Sequence, residues 1–158
     1  MITVKLNGGL GNQLFQYATG RALSLQYGVS LLLDLSNYEY YDVHPLRIQY
    51  FCQEVNTVSH SGRLYKFLNS IRVQRFLKRC GLRKHVYIED HIGFDSELLN
   101  SNKNAVLYGY FQSEKYFESI RSLLLNELNV KPALLAPVSC VERSIKSCSI
   151  SVSIHIRR

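Results

Sequence analysis

Three glycines fall within four positions, at Gly8, Gly9 and Gly11, and the polar pair Asn12–Gln13 follows them. A glycine turn that feeds a helix lets backbone approach a ligand and offers free N–H groups to an anion. It is also what a purely structural tight turn looks like. A Walker-type phosphate loop needs Gly-Lys-Ser/Thr here, and Gly11 precedes Asn12, so that chemistry is excluded. A dinucleotide fingerprint finds two of its glycines in Gly9 and Gly11, but Leu14 stands where the third belongs. Asp34 then occupies the position expected of a ribose-binding acid. The other chemistry-bearing cluster is His155, Arg157 and Arg158, at the end of an alternating run. In open α/β sheets, ligands lie beyond the carboxyl ends of strands, which is where these three side chains fall.

The elements that must position these groups follow from periodicity. Ile2, Val4 and Leu6 alternate with Thr3 and Lys5, a strand pattern. Leu14, Ala18, Ala22 and Leu25 recur at helical spacing with Phe15 beside them; Asn12 is the expected N-cap and Gly28 the stop. Ser30–Leu35 is a short apolar run ending near Asp34, as in a strand buried on both faces. Strand, turn, helix, strand opens a doubly wound α/β domain. His44–Pro45 marks a loop. Val86–Asp90 and Ala105–Phe111 are further strand candidates. A helix is expected after them, capped by Ser113, with Phe117, Ile120, Leu124 and Leu128 on one face. Asn129–Pro137 reads as a connector; Val138, Val141 and Ile145 predict a short helix. Ile150, Val152, Ile154 and Ile156 then alternate with polar residues, which predicts a closing strand.

Composition is that of a globular protein: 158 residues, 46% hydrophobic and 20% charged. No apolar run approaches the roughly 20 residues that span a bilayer, and the N-terminus lacks the sections of a signal peptide. A cytoplasmic location follows as the expectation. Cys52, Cys80, Cys140 and Cys148 form no CxxC pair, so reduced, mostly buried thiols are expected and a structural zinc site is not. The net charge of +7 belongs to one segment: Arg63–Lys84 holds eight basic residues and no acid. Leu64, Phe67, Leu68 and Ile71 give that segment one apolar face, predicting an amphipathic helix whose aromatics serve the core. A solvated face is its simplest reading. Peripheral attraction to an anionic membrane is the functional one, and nucleic acid is not expected as a partner.

Three stretches carry a family resemblance. "GGLGNQLFQYATGRAL" resembles the N-terminal motif of the bacterial α-1,2-fucosyltransferases, glycosyltransferase family 11. "YGYFQSEKYF", Tyr108–Phe117, resembles an internal motif of that family, and "HIRR", His155–Arg158, the start of its HxRRxD-type motif. The resemblance implies a GT-B enzyme of two Rossmann-like domains. Residues 1–130 would form the N-terminal, acceptor-side domain. Residues 131–158 would supply a linker, a helix and the first strand of a nucleotide-sugar domain of which the remainder is absent. The implied reaction is inverting transfer of L-fucose from GDP-fucose to the 2-hydroxyl of a terminal galactose, without a metal. By the same resemblance Arg157 or Arg158 would stabilise the departing diphosphate, and Gly11, Asn12, Gln13 and His155 would contact the donor. Separately from the resemblance, Gln112, Ser113 and Lys115 lie at a strand-to-helix junction and are thereby placed to line the cleft, with capping and surface solvation explaining them equally.

For the acceptor's proton, Asp34, Asp42, Asp90 and His91 are candidates between which spacing does not choose. With the donor pocket incomplete, the chain alone is expected to be inactive. A dinucleotide-binding oxidoreductase domain and a basic nucleic-acid-binding module are the rival readings.

Overall fold

The computed structural model describes residues 1–40, 43–51, 55–82, 85–91, 93–154 and 156. Its centre is a five-stranded, wholly parallel sheet. The strands are β1 (Ile2–Lys5), β2 (Leu31–Asp34), β3 (Asn56–Val58), β4 (Val86–Ile88) and β5 (Val106–Tyr108), in the order β3-β2-β1-β5-β4. The expected α/β, Rossmann-like class is therefore the observed one. From β1 the chain steps outward to β2 and β3, then crosses to the other side for β4 and β5. The order reverses between β1 and β5, so their carboxyl ends flank the crevice where such sheets bind ligands.

One face of β1 is sealed, with Ile2, Val4 and Leu6 fully buried; on the other, Lys5 is buried and Thr3 half-buried. Helix α1 (Leu10–Tyr27) packs very closely on the sheet. A Cβ on Gly20 would lie 2.4 Å from Val4 Cγ2 and 2.9 Å from Leu31 Cδ1, so only glycine lets the helix sit this low. Gly28 ends α1 in the left-handed conformation, as its position predicts.

Two expectations for α1 are corrected. Its cap is Gly9, with no side-chain cap bond, and Asn12 lies inside the first turn. Its buried face is also rotated: Gln13, Gln16 and Thr19 are buried while Leu25 is exposed. Apolar spacing misplaced the stripe because three polar residues belong to the core side.

The helix expected after Ser113 is broken into two 3-10 turns, Glu114–Tyr116 and Glu118–Ile120, before α4 (Arg121–Glu127), and the Ser113 side chain caps nothing. Glu127 ties α4 back to α1. It accepts from Arg21 Nη2 at 2.7 Å and from the Tyr17 hydroxyl at 2.7 Å. The hydrogen bond from Arg21 outweighs burial and holds the Glu127 carboxyl below its ordinary value.

The basic segment forms two helices, α2 (Arg63–Leu68) and α3 (Ile71–Arg79), rather than one. Gln74 Nε2 donates to Leu68 O at 2.8 Å and closes the break. Leu64, Phe67, Leu68 and Ile71 do not serve the core, and neither does Phe76; all five are exposed. The hairpin packs through Tyr65 and Gln74 instead. The thiols are corrected likewise: Cys80, Cys140 and Cys148 are exposed, because they sit at the end of α3 and on or beside α6, which buries nothing. Cys52 lies outside the described residues.

After α4 come α5 (Pro132–Leu135) and α6 (Ser139–Ser147), the latter where the short helix was predicted. None of the described residues from Lys131 onward is buried. Those of the 149–156 run form no strand, and Ile150, Val152, Ile154 and Ile156 are 80–82% exposed. Alternation alone does not make a strand; a ladder partner is required, and none lies beside these residues.

Candidate active-site cleft

A cleft of about 500 Å³ opens at the carboxyl ends of β1, β2 and β5, beneath the α2–α3 hairpin. Its floor is an ion pair. Lys5 and Asp34 end adjacent parallel strands in register, and Lys5 Nζ lies 3.1 Å from Asp34 Oδ2 with both side chains 5% exposed. Lys5 also sits over the rings of Tyr65 (5.0 Å) and Tyr108 (5.6 Å). Asp34 accepts from the Ser36 hydroxyl, from Ser36 N at 2.9 Å and from the Tyr65 hydroxyl at 2.9 Å. Burial by itself raises the Asp34 pKa; the Ser36 hydrogen bonds and the Lys5 ammonium more than offset it, and the carboxyl is held below its ordinary value. Burial and the bond to Asp34 push the Tyr65 phenol up to about 12.

This geometry decides two roles considered for Asp34. Its lone pairs are engaged by Lys5, Ser36 and Tyr65, which leaves it no opening toward a ribose. A carboxylate held in this way is also a poor proton acceptor. Of the other base candidates, Asp90 pairs with Arg75 at 2.9 Å on the surface, His91 is exposed, and Asp42 lies outside the described residues.

The cleft wall consists of Tyr40, Tyr65, Tyr108 and Tyr110 rings interleaved with the amides of Asn7, Asn37 and Asn69. Aromatic faces that pack against C–H groups, with amides that both donate and accept, match the alternating surface of a neutral pyranose. Among the described residues no group of three His, Cys, Asp or Glu could hold a metal ion.

Two loops form the rim across the β1–β5 switch point, and one buried side chain joins them. Gln16 Oε1 accepts from Asn7 N at 3.0 Å, while Gln16 Nε2 donates to Gly109 O at 2.7 Å. The loop after β5 is held by Glu89, whose carboxylate accepts from Tyr110 N (2.7 Å) and Phe111 N (3.1 Å). Phe111 is fully buried at φ 52°, the one non-glycine residue at positive φ among those described. Gly109 is required there, since a Cβ would lie 2.6 Å from Glu89 Cβ.

Of the described residues that the sequence pointed to, Gly11, Asn12 and Gln13 lie in the first turn of α1 and Gln112, Ser113 and Lys115 after β5, and none of the six lines this cleft. Gly11 is open, with nothing within 4 Å of where a Cβ would be. Asn12 Oδ1 accepts from Gln112 Nε2 at 2.7 Å, joining two of the expected cleft residues. Gln13 is fully buried: its Nε2 donates to Gly8 O (2.9 Å) and Pro45 O (3.1 Å), and its Oε1 accepts from Arg47 N (2.9 Å) and Ile48 N (3.0 Å). It shapes the His44–Ile48 loop from within. Ser113 and Lys115 follow Gln112, and Lys115 lies over the Phe94 ring at 5.6 Å. His155, Arg157 and Arg158 lie outside the described residues.

Lys5, Gln16, Tyr65 and Glu89 were not found by motif reasoning. A signal existed for Lys5: a charge inside a strand buried on both faces needs a partner, and Asp34 ends a strand of the same kind.

Fold and cleft together define a doubly wound α/β domain with a carbohydrate-compatible crevice at its switch point. Along its whole length the chain is similar to a glycosyltransferase, the α-1,2-colitosyltransferase of Escherichia coli. The two are 31% identical over 167 aligned positions, covering 100% of this chain and 54% of that protein. The chain thus spans about half the length of the curated relative it matches. No family model matches the chain. No solved structure matches it either.

Proposed function

We propose that this chain forms the acceptor-side part of an inverting glycosyltransferase that moves L-fucose, or a closely similar deoxy sugar, from a GDP-linked donor to the 2-hydroxyl of a terminal galactose. The observation that carries the reading is similarity along the whole chain to a transferase whose name bears the α-1,2 linkage. Support comes from the cleft at the β1–β5 switch point, lined mainly by tyrosines and asparagines, with Lys66 the exposed charge among its lining residues. Colitose is the 3-deoxy counterpart of L-fucose, so the two donor sugars differ by one hydroxyl.

In this reaction the galactose 2-hydroxyl attacks the anomeric carbon from the face opposite GDP, and configuration inverts. The glycosidic C–O bond forms as the bond to the β-phosphate oxygen breaks, negative charge gathers on the diphosphate, and the hydroxyl proton passes to water late in the displacement. A guanidinium from Arg157 or Arg158 neutralises that charge and stands where a metal ion would otherwise act. His155 and the exposed turn at Gly11 and Asn12 contact the donor. Gln13 contributes through the loop it holds. The tyrosine–asparagine wall receives the acceptor galactose. The rest of the donor pocket belongs to the portion of the enzyme that corresponds to the unaligned part of the E. coli relative.

The test is a donor screen on the 158-residue chain and on the chain joined to that remaining portion of the relative. GDP-L-fucose, its 3-deoxy counterpart, GDP-mannose and UDP-glucose are offered with a β-galactoside, and released nucleoside diphosphate is measured. The joined protein, shown to be folded by a cooperative melt, transfers from the first two donors only. The chain alone releases none. Transfer from UDP-glucose in preference to both L-sugars overturns the reading, as does NAD binding at the first glycine turn.

A further inference from the structure

The α2–α3 hairpin exposes apolar side chains where a folded domain ordinarily buries them. Leu64, Phe67 and Leu68 share one face of α2 at helical spacing and are 71%, 65% and 45% exposed, and Ile71, which opens α3, is 43% exposed. Phe76 and Leu82 add two more at 65% and 72%. Basic residues run through the same surface. On α3, Phe76 has Arg72 one turn before it and Arg79 one turn after it on the exposed side. Among the described residues Arg63, Arg72 and Arg79 make no ion pair, whereas Arg75 is held by Asp90 at 2.9 Å. A shallow hollow of about 520 Å³ beside α3 is lined by Arg75, Lys78, Arg79, Ile88 and Asp90.

We infer that the α2–α3 hairpin seats this protein on an anionic lipid bilayer. A helix pair lying in the interfacial plane needs a ridge of large apolar side chains to enter the acyl boundary and cations beside it to meet headgroup phosphates. This hairpin has both, and the segment carries no acid to repel an anionic surface. A protein partner would use phenylalanines and arginines too, but a second copy of this chain would set one all-basic segment against another, and like charges oppose that contact. Nucleic acid would use the arginines and the aromatic rings, but it leaves Leu64, Leu68, Ile71 and Leu82 without a partner.

The seating also has a consequence for the cleft. Tyr65, Lys66 and Asn69 of the hairpin line it, so a bilayer held by α2 and α3 lies beside the cleft mouth. A glycan carried on a lipid would then enter without leaving the surface. The membrane contact itself stands independently of the transferase reading.

The experiment is sedimentation of the 158-residue chain with vesicles of phosphatidylcholine alone and of phosphatidylcholine containing phosphatidylglycerol. Binding is expected to the second only, and to fall when salt is raised to about 1 M, where the screening length shrinks to about 3 Å. Those two dependences need no variant. Phe67→Ser with Phe76→Ser, and separately Arg72→Glu with Arg79→Glu, change exposed positions, and circular dichroism and melting check that each pair folds. Each pair lowers the partition coefficient at least about tenfold. Absence of binding, equal binding to neutral vesicles, or loss in only one of the two pairs overturns the inference. So does tight transfer RNA binding that ignores the phenylalanines, or a dimer dissolved by the phenylalanine substitutions in a chain that ignores vesicles.

Discussion

The Lys5 ammonium lies 3.1 Å from the Asp34 carboxylate on the floor of the cleft, each side chain 5% exposed. Two residues that end neighbouring strands in register thereby put a neutralised pair of charges under the substrate-sized space, with Tyr65 and Tyr108 around the cation. Removing either partner strands a buried charge. Lys5→Met is expected to cost about 3–5 kcal/mol, and the double change Lys5→Met with Asp34→Leu less than that. Urea unfolding of the two variants checks it; a double variant as unstable as the single one contradicts the pairing.

Acid weakens the same pair. The Asp34 pKa is below its ordinary value in the folded chain, whereas the unfolded chain binds that proton near pH 4. Its contribution to stability is therefore complete above about pH 4 and is lost as pH falls through the folded value. The melting-temperature gap between the wild-type chain and Asp34→Asn should be widest at neutral pH and shrink below about pH 4. A gap that stays constant into acid would show that the carboxylate's charge contributes nothing.

Glu89 holds the loop after β5 by accepting from two successive backbone N–H groups. Glu89→Ala leaves both without that acceptor beside the strained Phe111 and is expected to cost about 3 kcal/mol, with Glu89→Gln costing less. Gly109→Ala should also destabilise, because its Cβ meets Glu89 at 2.6 Å. Equilibrium unfolding of the three variants measures the order.

Gln16 is the link across the switch point. Gln16→Leu fills similar space but strands Asn7 N and Gly109 O, which is expected to cost about 2–4 kcal/mol. Hydrogen exchange should quicken at Asn7 and through Gly109–Phe111 well before it changes in β2. Uniform quickening would mean that Gln16 supports the whole domain rather than the rim.

In the joined enzyme, Arg157→Ala or Arg158→Ala should lower kcat by about 100–1,000-fold at whichever position meets the diphosphate, with a much smaller effect at the other. Undiminished kcat in both variants removes the proposed charge stabilisation.

How far residues announced the structure depended on the range of the interactions that decide it. Ile2, Val4 and Leu6 alternate, Gly28 stops a helix, and Leu31–Asp34 form a short strand; each signal is complete within a few residues, and each was legible. Leu64, Phe67 and Phe76 have the periodicity of core residues and are exposed, because periodicity marks an apolar stripe and not what covers it. Ile150–Ile156 has strand alternation and no strand among its described residues, because hydrogen-bonded pairing needs a neighbour.

By itself, then, the sequence determined the opening strand–turn–helix–strand unit, the α/β class and the concentration of charge in one hairpin. These follow from backbone sterics, apolar spacing and composition, all local properties. Only the tertiary structure decided that Lys5 meets Asp34, that Gln16 reaches Gly109 from 93 residues away and that Glu89 grips the Tyr110 turn. Those partners are brought together by the crossovers of a parallel sheet. Burial then makes their pairing obligatory, since an unpaired polar group there has no water to turn to.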